Sequence, residues 1–211
     1  MKLGLGTGST IQHFLELLAV ELDAGRLDDI VGVPTSLRTE RSCRELGIAL
    51  TTLADSPALD LAVDGADEID PQLDLIKGLG GALLREKMVA QAAERFAVIA
   101  DAGKQVQQLG TRSPLPVEVV EFQWEAHEPF LGRLGCRPVL RVGSDSEPYR
   151  TDNGNLILDC HFAEGIPDSA ALDRALNDRA GVVEHGLFLG MATEAHIASA
   201  DGVGHITKED L

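Results

Sequence analysis

Residues 63–86 read VDGADEIDPQLDLIKGLGGALLRE, and this stretch decides the fold. Leu61-Ala62-Val63 is a short apolar run of strand type that ends abruptly in Asp64-Gly65-Ala66-Asp67-Glu68. Carboxylates therefore gather where the chain leaves a sheet, and the glycines let backbone come close to a ligand. Lys77, the glycines Gly78, Gly80 and Gly81, and then Arg85-Glu86-Lys87 follow within helix-turn reach. That inventory suits proton transfer on a polar substrate better than it suits packing.

Upstream, short apolar runs alternate with segments of helical period. Leu3-Gly4-Leu5 reads as a strand, and Gly6-Thr7-Gly8-Ser9-Thr10 as a turn with Ser9 or Thr10 capping a helix. Ile11, Phe14, Leu15, Leu18 and Leu22 then make one buried helical face. Residues 30–33 predict a strand, 36–46 a helix stopped by Gly47, and 48–53 a further strand. Downstream of the acidic turn, 83–94 predicts a helix and 96–100 a strand. Strands alternating with helices in this way imply a mostly parallel sheet covered by helices.

The pattern changes near Ser113-Pro114-Leu115-Pro116. From Val117 to Leu189 the elements read as a smaller α+β unit, with a helix over 169–177 and a strand over 182–189. Thr151-Asp152-Asn153-Gly154-Asn155 before Leu156-Ile157-Leu158 is a hairpin signal, since Asn-Gly supplies positive φ angles. The tail, 195–206, reads as strand, turn at Asp201-Gly202, and strand, returning to the first part. The expected domains are 1–114 plus 191–211, and 115–190.

Bulk composition excludes several classes. The chain has 211 residues, 44% hydrophobic and 25% charged, enough for a sizeable core in an ordinary globular protein. A net charge of −16 argues against a nucleic-acid partner and against anionic membrane surfaces. No apolar run approaches the roughly 20 residues of a membrane span, and no signal peptide precedes Gly4. Cys43, Cys136 and Cys160 are widely spaced without CxxC pairing, which fits reduced thiols in the cytoplasm.

Several motifs carry chemistry, each beside a plainer reading. The Gly4–Thr10 turn offers backbone N–H groups and the hydroxyls of Thr7, Ser9 and Thr10 to a phosphate, or is simply a tight turn. It is neither GxGxxG in register nor a Walker A loop. Pro34-Thr35-Ser36 is a ligand loop or a helix cap. Asp64, Asp67 and Glu68 suit a divalent metal, a cap or sugar hydroxyls, and the spacing excludes an EF-hand. Lys77 beside its glycines suits a developing oxyanion. Arg85, Glu86 and Lys87 belong to a site or to a solvated helix face, and Lys104 to a phosphate or to an exposed loop. His127, His161, His185, His196 and His205 show no ligand spacing and receive no role.

Together these residues resemble the type A ribose-5-phosphate isomerase family. The matching segments are GLGTGST at 4–10, VDGADEID at 63–70, KGLGGALLREK at 77–87 and ADAGKQV at 100–106. PLPVEVV at 114–120, TDNGNLILD at 151–159 and GVVEHGLF from Gly181 complete the set, in the family's order and over nearly the whole chain.

The resemblance implies a Rossmann-like, mostly parallel sheet flanked by helices, with a smaller α+β, ferredoxin-like domain. It implies cofactor-independent, metal-free interconversion of D-ribose 5-phosphate and D-ribulose 5-phosphate in the pentose phosphate pathway. Glu86 matches the general base, and Asp64 and Asp67 the acidic pair that handles sugar hydroxyls and ring opening. Lys77 matches the lysine that steadies the enediolate oxygen. Thr7, Gly8, Ser9, Thr10, Gly65, Ala66, Gly78, Leu79, Gly80 and Lys104 match substrate-binding positions. The family pattern further implies a homodimer or homotetramer.

Two features depart from that pattern. Relatives carry a helix before the first strand, where this chain begins at the strand, so that helix is either absent or upstream. Leu79 stands where many relatives have Gly, and its backbone is expected to serve. A non-catalytic sugar-phosphate regulator, a CoA transferase or a sugar-phosphate lactonase would share the architecture. None of these would call for the Lys77–Glu86 combination.

Overall fold

The structure, a computed structural model, describes residues 1–144 and 146–208. In chain order it begins β1 (Lys2–Leu5), α1 (Ser9–Asp23), β2 (Val31–Pro34), α2 (Leu37–Glu45), β3 (Leu59–Asp64), β4 (Glu68–Ile69) and β5 (Leu75–Ile76). It continues α3 (Leu83–Gln91), β6 (Ala93–Asp101), β7 (Leu115–Val119), α4 (Glu128–Arg133), β8 (Arg137–Leu140) and β9 (Leu156–His161). It closes with α5 (Ser169–Asn177), β10 (Val182–His185), β11 (Leu187–Phe188), β12 (Glu194–Ser199) and β13 (Gly202–Thr207).

Two compact units result, one from Met1–Ala66, Arg85–Gly103 and Gly190–Leu211, the other from Asp67–Leu84 and Lys104–Leu189. Residues 67–84, placed with the first domain on sequence grounds, thus fall in the second unit, because β5 pairs with β11 there and β4 with β5. The final residues of the expected first domain, 209–211, lie outside the described ones.

In the first unit the sheet runs β13-β12-β6-β3-β1-β2. Every neighbouring pair is parallel except β12–β13, so helical crossovers cover the sheet as the alternating pattern predicts. Leu3, Leu5 and Val63 from the strands meet Ile11, Leu15 and Leu18 of α1 and Cys43 of α2 in one buried cluster. Each fully buried aliphatic side chain there contributes about 2 kcal/mol.

Three local expectations change. Ser9 and Thr10 are the first helical residues of α1 rather than its cap, because Gly8 takes the cap position at φ 134°. Residues 48–53 form no strand; a single bridge joins Leu50 to Gly32, leaving too few ladder bonds. The helix over 83–94 stops at Gln91 because Ala93 is already paired with Leu59 in the sheet.

In the second unit β10-β7-β9-β8 form an antiparallel sheet, and β11-β5-β4 a small one. Leu115, Val117, Leu156, Leu158, Leu172 and Leu176 lie in its core. The strand expected over 182–189 is broken at Gly186 into β10 and β11, which belong to different sheets. Residues 151–155 do make a tight turn, with Gly154 at φ 80°, but β9 pairs with β8 and β7 rather than with the residues just before the turn. Buried Glu118 explains this, since its Oε1 accepts from Thr151 Oγ1, Asn153 Nδ2 and Asn155 Nδ2. Among the described residues no helix is long and apolar enough to cross a membrane.

Candidate functional site

The turn after β1 is shaped by its neighbours rather than by itself. Asp64, at the end of β3 and only 3% exposed, accepts the backbone N–H of Thr7 at 3.0 Å and of Gly65 at 2.7 Å through one oxygen. Gly6 makes this possible, because a Cβ there would stand 2.1 Å from Asp64 Oδ1 and 2.7 Å from its Cα. Thr7 Oγ1 donates to Ser36 Oγ at 2.8 Å and lies 2.8 Å from Thr35 Oγ1 and 3.0 Å from Thr39 Oγ1. Thr39 in turn donates to the Gly6 carbonyl at 2.8 Å, and Thr35 to the Leu5 carbonyl at 3.0 Å.

This hydroxyl cluster fixes the loop from below. Gly8 has no side chain with which to cap α1, so the first-turn N–H groups stay open to an anion. Ser36 does cap α2, accepting from Thr39 N at 3.0 Å, and it also serves the Thr7 network. Thr39 was not singled out from the sequence. Its signal was the Ser-x-x-Thr spacing, which reads equally as an ordinary capped helix.

Glu86 lies on α3 and is 5% exposed, so it is not part of a solvated helix face. It borders a crevice too tight for a water molecule, together with Gly6, Thr35 and Asp64. A roomier cleft of about 510 Å³ lies in the same unit, lined by Val33, Pro34, Arg44, Arg85 and Met88 among others. It contains neither Asp64 nor Glu86 nor any residue of the 6–10 turn, so size alone does not mark the chemistry. Gly65 and Ala66 follow Asp64 directly and are half-buried; Ser9 and Thr10 are exposed.

In the second unit Asp67 Oδ2 accepts the backbone N–H of Leu79 at 2.9 Å, holding the glycine loop that follows Lys77. Lys77 is 2% exposed, with its ammonium 5.5 Å from the Phe188 ring centroid. Its backbone N–H donates to the Gly186 carbonyl at 2.9 Å, and a Cβ on Gly186 would meet the Lys77 carbonyl oxygen at 2.2 Å. Gly78 is buried, whereas Leu79 and Gly80 are exposed. Arg141 Nη1 donates to the Gly78 and Leu79 carbonyls at 3.0 Å each while its guanidinium pairs with Asp159 at 2.5 Å. Arg141 stands 62 residues from Leu79 in the chain and gave no sign of this in the sequence.

Two further acids of the 63–86 stretch, Glu68 and Asp70, are spent on backbone. Glu68, fully buried, accepts from Gly110, Arg112 and Ser113 N–H at 2.6, 2.7 and 2.5 Å. Asp70 accepts from Gln72 and Asp74 N–H at 2.9 Å, and burial pushes its carboxyl above the ordinary range despite those bonds. Lys104 ends the 3₁₀ turn Ala102–Lys104 and is half-buried.

Residues 31–202 match the family model of ribose 5-phosphate isomerase A (phosphoriboisomerase A). The chain is 58% identical over 210 residues to ribose-5-phosphate isomerase A of Roseiflexus castenholzii, covering 100% of this chain and 89% of that one. It is 53% identical to the Chloroflexus aurantiacus protein of the same name, covering 100% and 87%. The solved ribose 5-phosphate isomerase from Plasmodium falciparum superposes with a TM-score of 0.95 at 40% identity, covering 98% and 90%. A D-ribose-5-phosphate isomerase in complex with phospho-erythronic acid superposes equally well, at 0.95 and 39% identity over 98% and 90%. The chain belongs to the ribose-5-phosphate isomerase A family.

Proposed function

We propose that the chain interconverts D-ribose 5-phosphate and D-ribulose 5-phosphate through a cis-enediolate, with Glu86 as the base. One observation carries this reading: Glu86 is buried and lines the same tight crevice as Asp64 and Gly6, beside the turn whose N–H groups no N-cap side chain occupies. A carbon acid next to a carbonyl is weak, so a carboxylate base needs a stabilised oxyanion to work at neutral pH.

In the opened aldose, Glu86 takes the proton from C2 and the C–H electrons form the C1=C2 bond. The charge thereby placed on O1 is steadied by the Lys77 ammonium, with the N–H donors of Gly78 and Gly80 as further help, while Leu79 N–H stays on Asp67 and keeps the loop in shape. Return of that proton from Glu86 to C1, with transfer of the O2 proton to O1, gives the ketose. Asp64 and Asp67 handle the sugar hydroxyls and ring opening, alongside Gly65 and Ala66. Thr7, Gly8, Ser9, Thr10 and Lys104 hold the phosphate. A relative in complex with phospho-erythronic acid, a phosphorylated sugar acid, fits this division of labour.

No cofactor or metal enters these steps. The test is an assay of ribose 5-phosphate against ribulose 5-phosphate in excess EDTA, with full activity expected. Activity lost to the chelator and restored by a dication would return the acidic turn to metal binding.

We further propose a cytoplasmic homodimer or homotetramer. Free, buried Cys43, Cys136 and Cys160 fit a reducing compartment, and light scattering of the purified chain reads the assembly.

A further inference from the structure

β12 and β13 pair so that His196 stands directly across from His205, and Glu194, two residues before His196, shares their face. The two imidazoles stack with centroids 4.4 Å apart and planes 10° from parallel. Glu194 Oε2 lies 3.0 Å from His205 Nε2 and 3.6 Å from His196 Nε2. One donor atom from each of the three side chains falls within 4.8 Å of the other two. We propose that Glu194, His196 and His205 form a binding site for a transition-metal dication of the Zn²⁺ type on the edge hairpin of the first unit's sheet.

The donor set selects the ion. Two imidazoles and a carboxylate suit Zn²⁺, Co²⁺, Ni²⁺ or Cu²⁺, whereas Mg²⁺ and Ca²⁺ ask for oxygen ligands. Tetrahedral Zn²⁺ with ligands at about 2.1 Å places neighbouring donors about 3.4 Å apart. The two carboxylate–imidazole separations, 3.0 and 3.6 Å, bracket that value. The stacked rings must turn for their lone pairs to converge. With the two side chains 40% and 48% exposed, they have room to do so and leave a fourth position to water.

Glu194 is prepared as the anchor. It is 8% exposed, and Arg95 Nη2 holds its Oε1 at 2.5 Å, which fixes the carboxylate and leaves Oε2 toward the histidines. Bound there, the metal ties edge strand β13 to β12, with β6 between this hairpin and β3, which carries Asp64. The sequence hid the site because one ligand arrives across a strand pair, not at a fixed spacing.

The test uses the full chain, stripped with EDTA and dialysed, then titrated with Zn²⁺ by calorimetry and with Co²⁺ by visible absorption. One saturable Zn²⁺ per chain is expected, with a raised unfolding midpoint that EDTA reverses. The His196→Ala/His205→Ala double variant, and His205→Gln on the exposed edge strand, are expected to lose about tenfold or more in affinity while isomerase activity stays at the parent level. Absence of saturable binding overturns the proposal, as does binding by both variants as tight as the parent's.

Discussion

Gly186 accepts the backbone N–H of Lys77 at 2.9 Å and leaves no room for a side chain, since a Cβ would stand 2.2 Å from the Lys77 carbonyl oxygen. The buried lysine is therefore positioned through its backbone by the break between β10 and β11. Gly186→Ala is expected to shift Lys77, costing about 1–3 kcal/mol of stability through overpacking and lowering kcat more than KM. Steady-state kinetics beside chemical denaturation read both, and an unchanged kcat would show that Lys77 is not held this way.

Asp64 has two duties that substitution separates. Asp64→Ala leaves the Thr7 and Gly65 N–H groups without their acceptor, so about 1–3 kcal/mol of stability is lost and KM rises as the phosphate turn loosens. Asp64→Asn keeps an acceptor oxygen but removes the charge. It is expected to preserve stability while lowering kcat, and equal losses of stability in both variants would reduce Asp64 to a loop anchor.

Glu86→Gln is close in shape and removes only the base. A fall in kcat of about a hundredfold to ten-thousandfold is expected, with an unfolding midpoint near the parent's. Exchange of the substrate's C2 proton into deuterated water should vanish with it; near-normal turnover would overturn the assignment.

Glu68 separates a structural acid from the catalytic ones. Glu68→Gln sets an amide N–H₂ against one or more of the three backbone donors, so a loss of about 3 kcal/mol is expected. Turnover per folded molecule should stay near the parent's. Stability intact with activity lost would mean that this acid acts on substrate.

Stability should also decline below neutral pH through His127. Burial, with the nearby Arg179 charge, lowers its affinity for a proton in the folded state below the ordinary value of 6.5. As pH falls through 6.5 the unfolded chain takes up a proton that the folded one resists, so folding is penalised progressively until the folded pKa is passed. Denaturation midpoints measured from pH 8 to 5 should slope downward in the parent and less so in His127→Gln. Parallel slopes would remove His127 from the account.

Much of this was legible in the sequence because it is local. The alternation of short apolar runs with helical faces such as Ile11, Leu15 and Leu18 specifies a parallel sheet covered by helices. The 63–86 stretch announced a site by residue type alone. What misled was also local. Residues 48–53 look like a strand, yet only a partner strand makes one, and Gly32 offers a single bridge at Leu50. Gly186 sits inside a run, Val182 to Leu189, that reads as one strand, and only its contact with Lys77 explains the break.

The sequence by itself determined the alternation of elements, the glycine turns and which residue types were available for proton transfer. Only the tertiary structure decided how those charges are used. It buries Glu86 beside Asp64 and turns Glu68 to three backbone N–H groups, while Arg141 reaches the carbonyls of Gly78 and Leu79 from 63 and 62 positions away. Burial and long-range hydrogen bonds depend on which elements meet, and no spacing along the chain encodes that.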